Sequence, residues 1–434
     1  MQRDHTAPIG DALIASGEAR THPTYLLFLL LLVGMVNMMD RQILSIFIIP
    51  IQEEFGVGDS AMGLLTGFAF SLFYVLAGLP IARWLDIGNR RNILAGAIVV
   101  WSAATALCGL TVNFIQLLIA RIGVASGEAA ANPGVVSIAA DSFPATRRAR
   151  AISIYYVGNS LGVFLGLSVG GWLAATVGWR IAFIVVGIPG LLLAILVRYT
   201  MKEPPRSGTR DANGDEIEIE TISNVIRYLV SLPTYRLLVA SSVFFTLVAY
   251  GLLSWSATFF LRVHEMNPAS VGLWLGLASG IGLVSGNLLG GFLSDYLATR
   301  NLRWYVLVPA IANLLTIPGI LIFLLTESTT IALLAYVPTL MLTGSVTPPL
   351  IAAIMAISKP RMRALSYSAY YMTAVVIGMG GGPFIMGFMA DFFSTQYQTE
   401  AIRYAMLYTS LSALFLATSG LFLASLSINR DKAE

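Results

Sequence analysis

Of the 434 residues, 56% are hydrophobic and only 11% are Asp, Glu, Lys or Arg, against roughly 25% charged residues in a soluble domain. A water-facing surface of normal size cannot be built from this composition, so the chain reads as an integral membrane protein. The small net charge of +3, the single cysteine (Cys108) and the three scattered histidines (His5, His22, His264) leave no basis for a nucleic-acid partner, a disulfide framework, a metal site or a cofactor.

Residues 1–23 form a polar tail without the cleavage pattern of a signal peptide. A bilayer core of ~30 Å needs about 20 apolar residues per helix, and on that ruler twelve spans follow. The first six fall near 24–50, 60–82, 92–112, 114–140, 149–176 and 180–200. The second six fall near 236–261, 268–296, 303–325, 330–357, 363–391 and 400–427. The expected fold is all-α: two pseudo-symmetric six-helix bundles, residues 24–201 and 236–427, with a linker at 202–235 and a short tail at 428–434. Within the linker, Ile222 to Leu232 has the spacing of a short amphipathic helix. It suits either a membrane-surface helix or a plain tether. Basic residues set the orientation: with both termini in the cytoplasm, 21 of the 26 Lys and Arg lie in cytoplasmic segments. A multi-pass protein of the cell (inner) membrane, expected to be a monomer surrounded by lipid, is the corresponding localisation.

The two halves repeat each other. Asp86 in PIARWLDIGNRR corresponds to Asp295 in LGGFLSDYLATR, 209 residues on. Arg148 corresponds to Arg363, and Tyr155-Tyr156 to Tyr370-Tyr371, both at an offset of 215. Similar six-helix halves mark carriers that rock around a central site. At these residues the chain resembles the major facilitator superfamily along essentially all its length. Ala82, Asp86, Arg90 and Arg91 fit the superfamily's loop between spans two and three, with Ala82 and Asn89 standing where glycines are usual. Gly162 to Gly171 fits its antiporter-type glycine motif, with Leu167 in place of proline, and GWRIAF at Gly178 to Phe183 is also familiar. RIGVASGEAAANPGVVSIAADSFP (Arg121 to Pro144), with DRQILS in span one, is similar to the Spinster branch. That resemblance implies export of an amphiphilic lipid such as sphingosine-1-phosphate or a lysophospholipid. Branches carrying organic anions or sugar acids share parts of it.

Four charges fall near the centres of the spans: Asp40, Arg41, Arg121 and Glu128. Each costs about 2.5–3.5 kcal/mol at the bilayer centre on insertion scales. Asn37, Asp40, Arg41 and Leu44 share one face of helix one, and Arg121 and Glu128, seven apart, share a face of helix four. They either neutralise one another as a static lock or form a proton-coupling site. Burial favours a neutral carboxyl and a nearby guanidinium favours the charged one, so an arginine moving between Asp40, Glu128 and a substrate phosphate would link protonation to binding. Arg121, Arg41, Asn37, Tyr155, Asn159, Tyr250, Asn287 and Tyr371 are the candidate substrate-binding residues. The second half has no comparable central charge, which suits an acyl chain there. Asp86, Arg90 and Arg91 are candidates for a cytoplasmic latch against Arg361 and Arg363, with Asp295 acting similarly against Arg148 and Arg150. The alternative is that they only orient insertion. No HExxH, GxSxG or P-loop stands in the chain, so an enzyme is not expected. The function read from the sequence is proton-coupled secondary transport of an amphiphilic lipid by alternating access, with small organic anions or drug-like compounds as the other cargo.

Overall fold

The computed structural model describes residues 21–204, 222–359 and 362–431. Most of the expected N-terminal tail, the linker centre at 205–221 and Arg361 lie outside the described residues. Eleven apolar helical stretches among the described residues are long enough to cross a membrane. The last, Leu365–Ser427, contains two crossings: it turns back at Gln398, whose φ of 49° lies in the left-handed region. The twelve crossings expected from the sequence are therefore present.

The first bundle comprises α1 (Pro23–Ile46), α2 (Asp59–Ile87), α3 (Arg90–Cys108), α4 (Phe114–Ser142), α5 (Ala145–Thr176) and α6 (Gly178–Thr200). The second comprises α7 (Pro233–Arg262), α8 (Pro268–Ala298), α9 (Trp304–Leu325), α10 (Thr329–Ile357), α11 (residues 363–397) and α12 (Ala401–Ser427). Asparagine side chains satisfy free N–H groups where short loops enter helices: Asn89 accepts from Asn92 N, Asn113 from Gln116 N and Asn267 from Ala269 N, each at 2.9 Å. We call the membrane face carrying Pro23 and Ser427 the terminus side and the opposite face the far side.

Prolines interrupt three of these helices. The first span was expected to run to residue 50, but α1 stops at Ile46 and a separate helix, Ile48–Phe55, follows. Pro50 has no N–H for the carbonyl of Ile46 and its ring crowds that carbonyl, so the helix opens there. In α4 the regular helix stops at Glu128 and resumes at Ala131; Pro133 disrupts the carbonyl of Ala129 in the same way. In α10 it stops at Gly344 and resumes at Thr347, ahead of Pro348 and Pro349. Pro133 and Pro348 are 215 apart, the offset already seen for the arginine and tyrosine repeats.

Lipid gives little hydrophobic reason for helices to associate, so close packing between small residues has to hold them together. Two closely packed helix pairs join the halves among the described residues. The first is α5 against α8, where a Cβ on Gly171 would run into the backbone of Pro268 and Gly272. The second is α2 against α11, where a Cβ on Gly67 would strike the carbonyl of Gly380. The rest of the glycine run in α5 seats α1, Gly162 facing the carbonyl of Met35 and Gly166 that of Met39. Both partners of the α2–α11 pair contain a wide π turn, Leu64–Phe68 in α2 and Ala374–Met379 in α11. Such turns cluster at functional sites. The linker helix Ile222–Ser231 buries Val225 and Leu229 against the second bundle beside Val306, Ile357 and Ile428.

Candidate functional site

The four charges expected within the spans meet between α1 and α4. The side chains of Asp40 and Glu128 are fully buried and Arg121 is 2% exposed. Arg41 binds Glu128 through Nε at 3.0 Å and Nη2 at 2.5 Å. Removing one partner of such a pair would strand a buried charge, at about 3–5 kcal/mol. Arg121 is not committed in this way. Its Nη1 donates to the backbone carbonyl of Asp40 at 3.3 Å and its Nε has no hydrogen-bond partner. Asp40 accepts from the hydroxyl of Thr105 at 3.4 Å on one oxygen, and its other oxygen has no hydrogen-bond partner. The break in α4 at Glu128 frees this carboxylate from a rigid helix interior. A cavity at the seam between the halves is bounded by Arg41, Gln42, Thr66, Arg121, Tyr250 and Ser254. The centre therefore lies next to a space both halves share.

Not every expected residue joins this centre. Asn37 is buried facing Glu128, Tyr250 lines the cavity, and Tyr371 stacks on Tyr367 at 5.8 Å near Tyr74. Tyr155 is buried on α5, with Asn159 one turn further on, and the backbone of both crowds Gly34 of α1. Asn287 does not reach the centre: it is exposed on α8 and spends its amide on the carbonyl of Leu283, at 2.8 Å. The structure adds Phe70 and Tyr74 of α2. The guanidinium of Arg41 lies 4.8 Å from the Phe70 ring centre and 5.4 Å from that of Tyr74, and Arg121 lies 5.4 Å from Phe70. In the sequence these are two aromatics in an apolar span, and nothing local separates them from packing residues.

The expected latch residues lie on the terminus side. Asp86 and Arg363 are exposed at the ends of α2 and α11, and Arg150 is exposed on α5. Arg148 donates to the carbonyl of Phe143 at 3.1 Å, and Asp295 accepts from Tyr305 of its own half at 3.1 Å. Arg90 and Arg91 turn away from the second half. Arg90 is buried among Asp141, Glu203 and the carbonyl of Pro204, and Arg91 N donates to Glu203 at 2.8 Å. In this conformer they form a clasp within the first bundle, with acidic partners on α4 and just beyond α6.

On the far side a clamp joins the halves, and the sequence reading had passed it over. Arg262, at the end of α7, donates to both oxygens of Asp59 at 2.8 and 3.1 Å and to Gln52 at 3.0 Å. Asp391 of α11 accepts from the backbone N–H of Asp59 at 2.9 Å, from that of Ser60 at 2.8 Å and from the Ser60 hydroxyl. A carboxylate of the second half thus caps the first turn of a helix in the first half, where the helix dipole favours negative charge. The one available signal was the placement of charged residues at three far-side helix ends.

Comparison with known proteins gives the family. The profile of the Major Facilitator Superfamily matches residues 30–383. The chain belongs to this superfamily. It is accordingly a multi-pass membrane transporter and not an enzyme. It is Spinster-like: a bacterial homolog of the human lysosomal transporter Spinster, solved in an inward-facing and unoccupied conformation, superposes with a TM-score of 0.86 at 30% identity, covering 95% of this chain and 98% of that one. An MFS-type efflux pump of Mycolicibacterium smegmatis is 29% identical over 411 residues, 93% of either chain. A probable galactarate/D-glucarate transporter of Bacillus subtilis is 28% identical over 326 residues, 69% of this chain and 71% of that one.

Proposed function

We propose that this transporter is a proton-coupled secondary carrier whose cargo is an amphiphile with an anionic head, such as a sphingoid phosphate or a lysophospholipid. The observation that carries the reading is Arg121. It is buried at the wall of the shared cavity with an unspent Nε, beside a carboxylate, Asp40, to which its guanidinium makes no bond. Such an arginine can take either a substrate oxygen or Asp40, and a proton on Asp40 decides between them. Arg41, Asn37, Tyr155, Asn159 and Tyr371 complete the head-group site, with Glu128 the second coupling carboxylate. The tail lies along the second half. The excess of basic residues on the terminus side supports a cytoplasmic placement of that face in the inner membrane. The far-side clamp and the likeness to an inward-facing Spinster homolog support an inward-open state for this conformer. Asp86, with Arg363, then serves as the latch of the opposite state.

A specific observation favours a second cargo. Tyr74 and Tyr371 lie close to each other and Tyr250 lines the cavity, so tyrosines from both halves lie near the arginines where a plain acyl slot was expected. That suits a small organic anion, as does the similarity to a sugar-acid transporter. Competition in proteoliposomes separates the two. Lysophosphatidic acid should displace bound sphingoid phosphate, whereas glycerol phosphate, which has the head and no tail, should not. Equal competition by glycerol phosphate, or by glucarate, overturns the lipid reading.

A further inference from the structure

Phe70 is 1% exposed, on the first turns of α2 after the π turn. Two guanidinium groups from two different helices, Arg41 on α1 and Arg121 on α4, lie 4.8 and 5.4 Å from its ring centre. Tyr74 stacks against the same ring with centroids 6.2 Å apart and planes 21° apart. An aromatic face attracts a cation within about 6 Å through its quadrupole, most strongly where water is excluded. Arg41 also has Glu128. Arg121 has one backbone carbonyl and an unpartnered Nε, and the ring is the aromatic face it lies against. A ring also differs from a carboxylate as a holder: it offers no lone pair that must be satisfied again when the arginine leaves.

We propose that Phe70 is a shared cation–π platform, a positioning residue that parks Arg121 beside the cavity while it is bonded to neither carboxylate nor substrate. The inference deepens the proposed coupling site and rests on it for its purpose, though its geometry stands independently of any cargo. Because the platform attracts without a fixed bonding geometry, Arg121 can slide across it and exchange partners.

The test replaces Phe70 with mono-, di- and trifluorophenylalanine in the full-length protein in nanodiscs. The rings stay close to the native shape while the quadrupole is progressively withdrawn. The readout is the rate at which phenylglyoxal modifies each arginine, followed by peptide mass spectrometry. Modification of Arg121 should accelerate step by step, by roughly fivefold to thirtyfold across the series, the range expected for a desolvated cation–π contact. Modification of Arg41, which keeps Glu128, should change less. Phe70→Tyr should match the native rate and Phe70→Leu should match or exceed the trifluoro variant. A flat Arg121 rate along the fluorine series in thermally stable protein overturns the proposal, and so does an equal rise at every arginine. Because no transported substrate enters this measurement, it is independent of the coupling reading. That reading falls instead if Arg121→Lys, with the native ring, leaves gradient-driven uptake unchanged.

Discussion

The far-side clamp is where a single side chain should move the whole molecule. Asp391→Ala removes three hydrogen bonds that cross between the halves, two from backbone N–H groups and one from Ser60. Losing a helix cap costs about 0.5–2 kcal/mol, and a bond to a charged acceptor contributes about 1.5–3 kcal/mol. The site is only partly buried and water can replace the carboxylate, so about 2 kcal/mol in total is a reasonable figure for the clamped state. At 1.4 kcal/mol per decade this is about 25-fold in the conformational equilibrium. A far-open conformer at about 2%, within the usual range for minor states, would rise to about a third of the molecules. Spin labels at Glu53 and Gln396, exposed positions on opposite halves near the clamp, report the change by pulsed dipolar spectroscopy. The native thiol will not compete for label, because Cys108 is buried. A new long-distance population should appear, larger for Asp391→Ala than for Asp391→Asn, which keeps one acceptor oxygen. An unchanged distance distribution together with a lowered melting temperature would show that Asp391 merely caps α2, and the clamp would have no role in gating.

Four other outcomes follow from the structure. Asp40→Asn should leave folding nearly intact, since Arg121 bonds to the backbone of Asp40 and not to its carboxylate, while transport in proteoliposomes loses its response to an imposed pH gradient. Glu128→Gln should also lose that response and cost more stability, about 3–5 kcal/mol, because Arg41 is left without its counter-charge; the double mutant should cost less than the two singles summed, measured by thermal unfolding and uptake together. Asp86→Asn should raise the share of terminus-side-open molecules, read as longer distances between labels at the terminus-side ends of α2 and α11. His264, in the loop between α7 and α8, is held below its ordinary value of 6.5 by burial and then by the nearby Arg403. The unfolded chain therefore takes the proton first, so stability is complete above about pH 6.5 and falls as pH drops below it; His264→Gln should flatten that part of the melting-temperature profile.

The twelve crossings and the two-half repeat were legible because a bilayer imposes a length and an apolar composition on every span. Asp40, Arg41, Arg121 and Glu128 were legible for the same reason: a charge in a span stands out against its surroundings. Phe70 and Tyr74 were not, since their role arises from two arginines brought over from other helices and an aromatic among apolar residues carries no mark of it. The clamp was hidden by separation. Asp59 and Asp391 are 332 residues apart, and each alone resembles an ordinary polar residue at a helix end. The partners of Arg90 were hidden in the same way. Its position in a familiar loop suggested a partner across the molecule, while Asp141 and Glu203, unremarkable in the sequence, fold back on it.

The wide turn in α2 separates two duties that a regular helix would have to share. Ahead of it, Gly63 faces Pro383 of the other half; beyond it, Phe70 and Tyr74 face the arginines of their own half. A π turn is an α-helix holding one surplus residue, and closing it to regular α-turns without losing that residue would rotate everything downstream by about 100° around the axis. Straightening the turn between Leu64 and Phe68 with every residue kept would therefore swing Phe70 off the guanidiniums while leaving Gly63 in place.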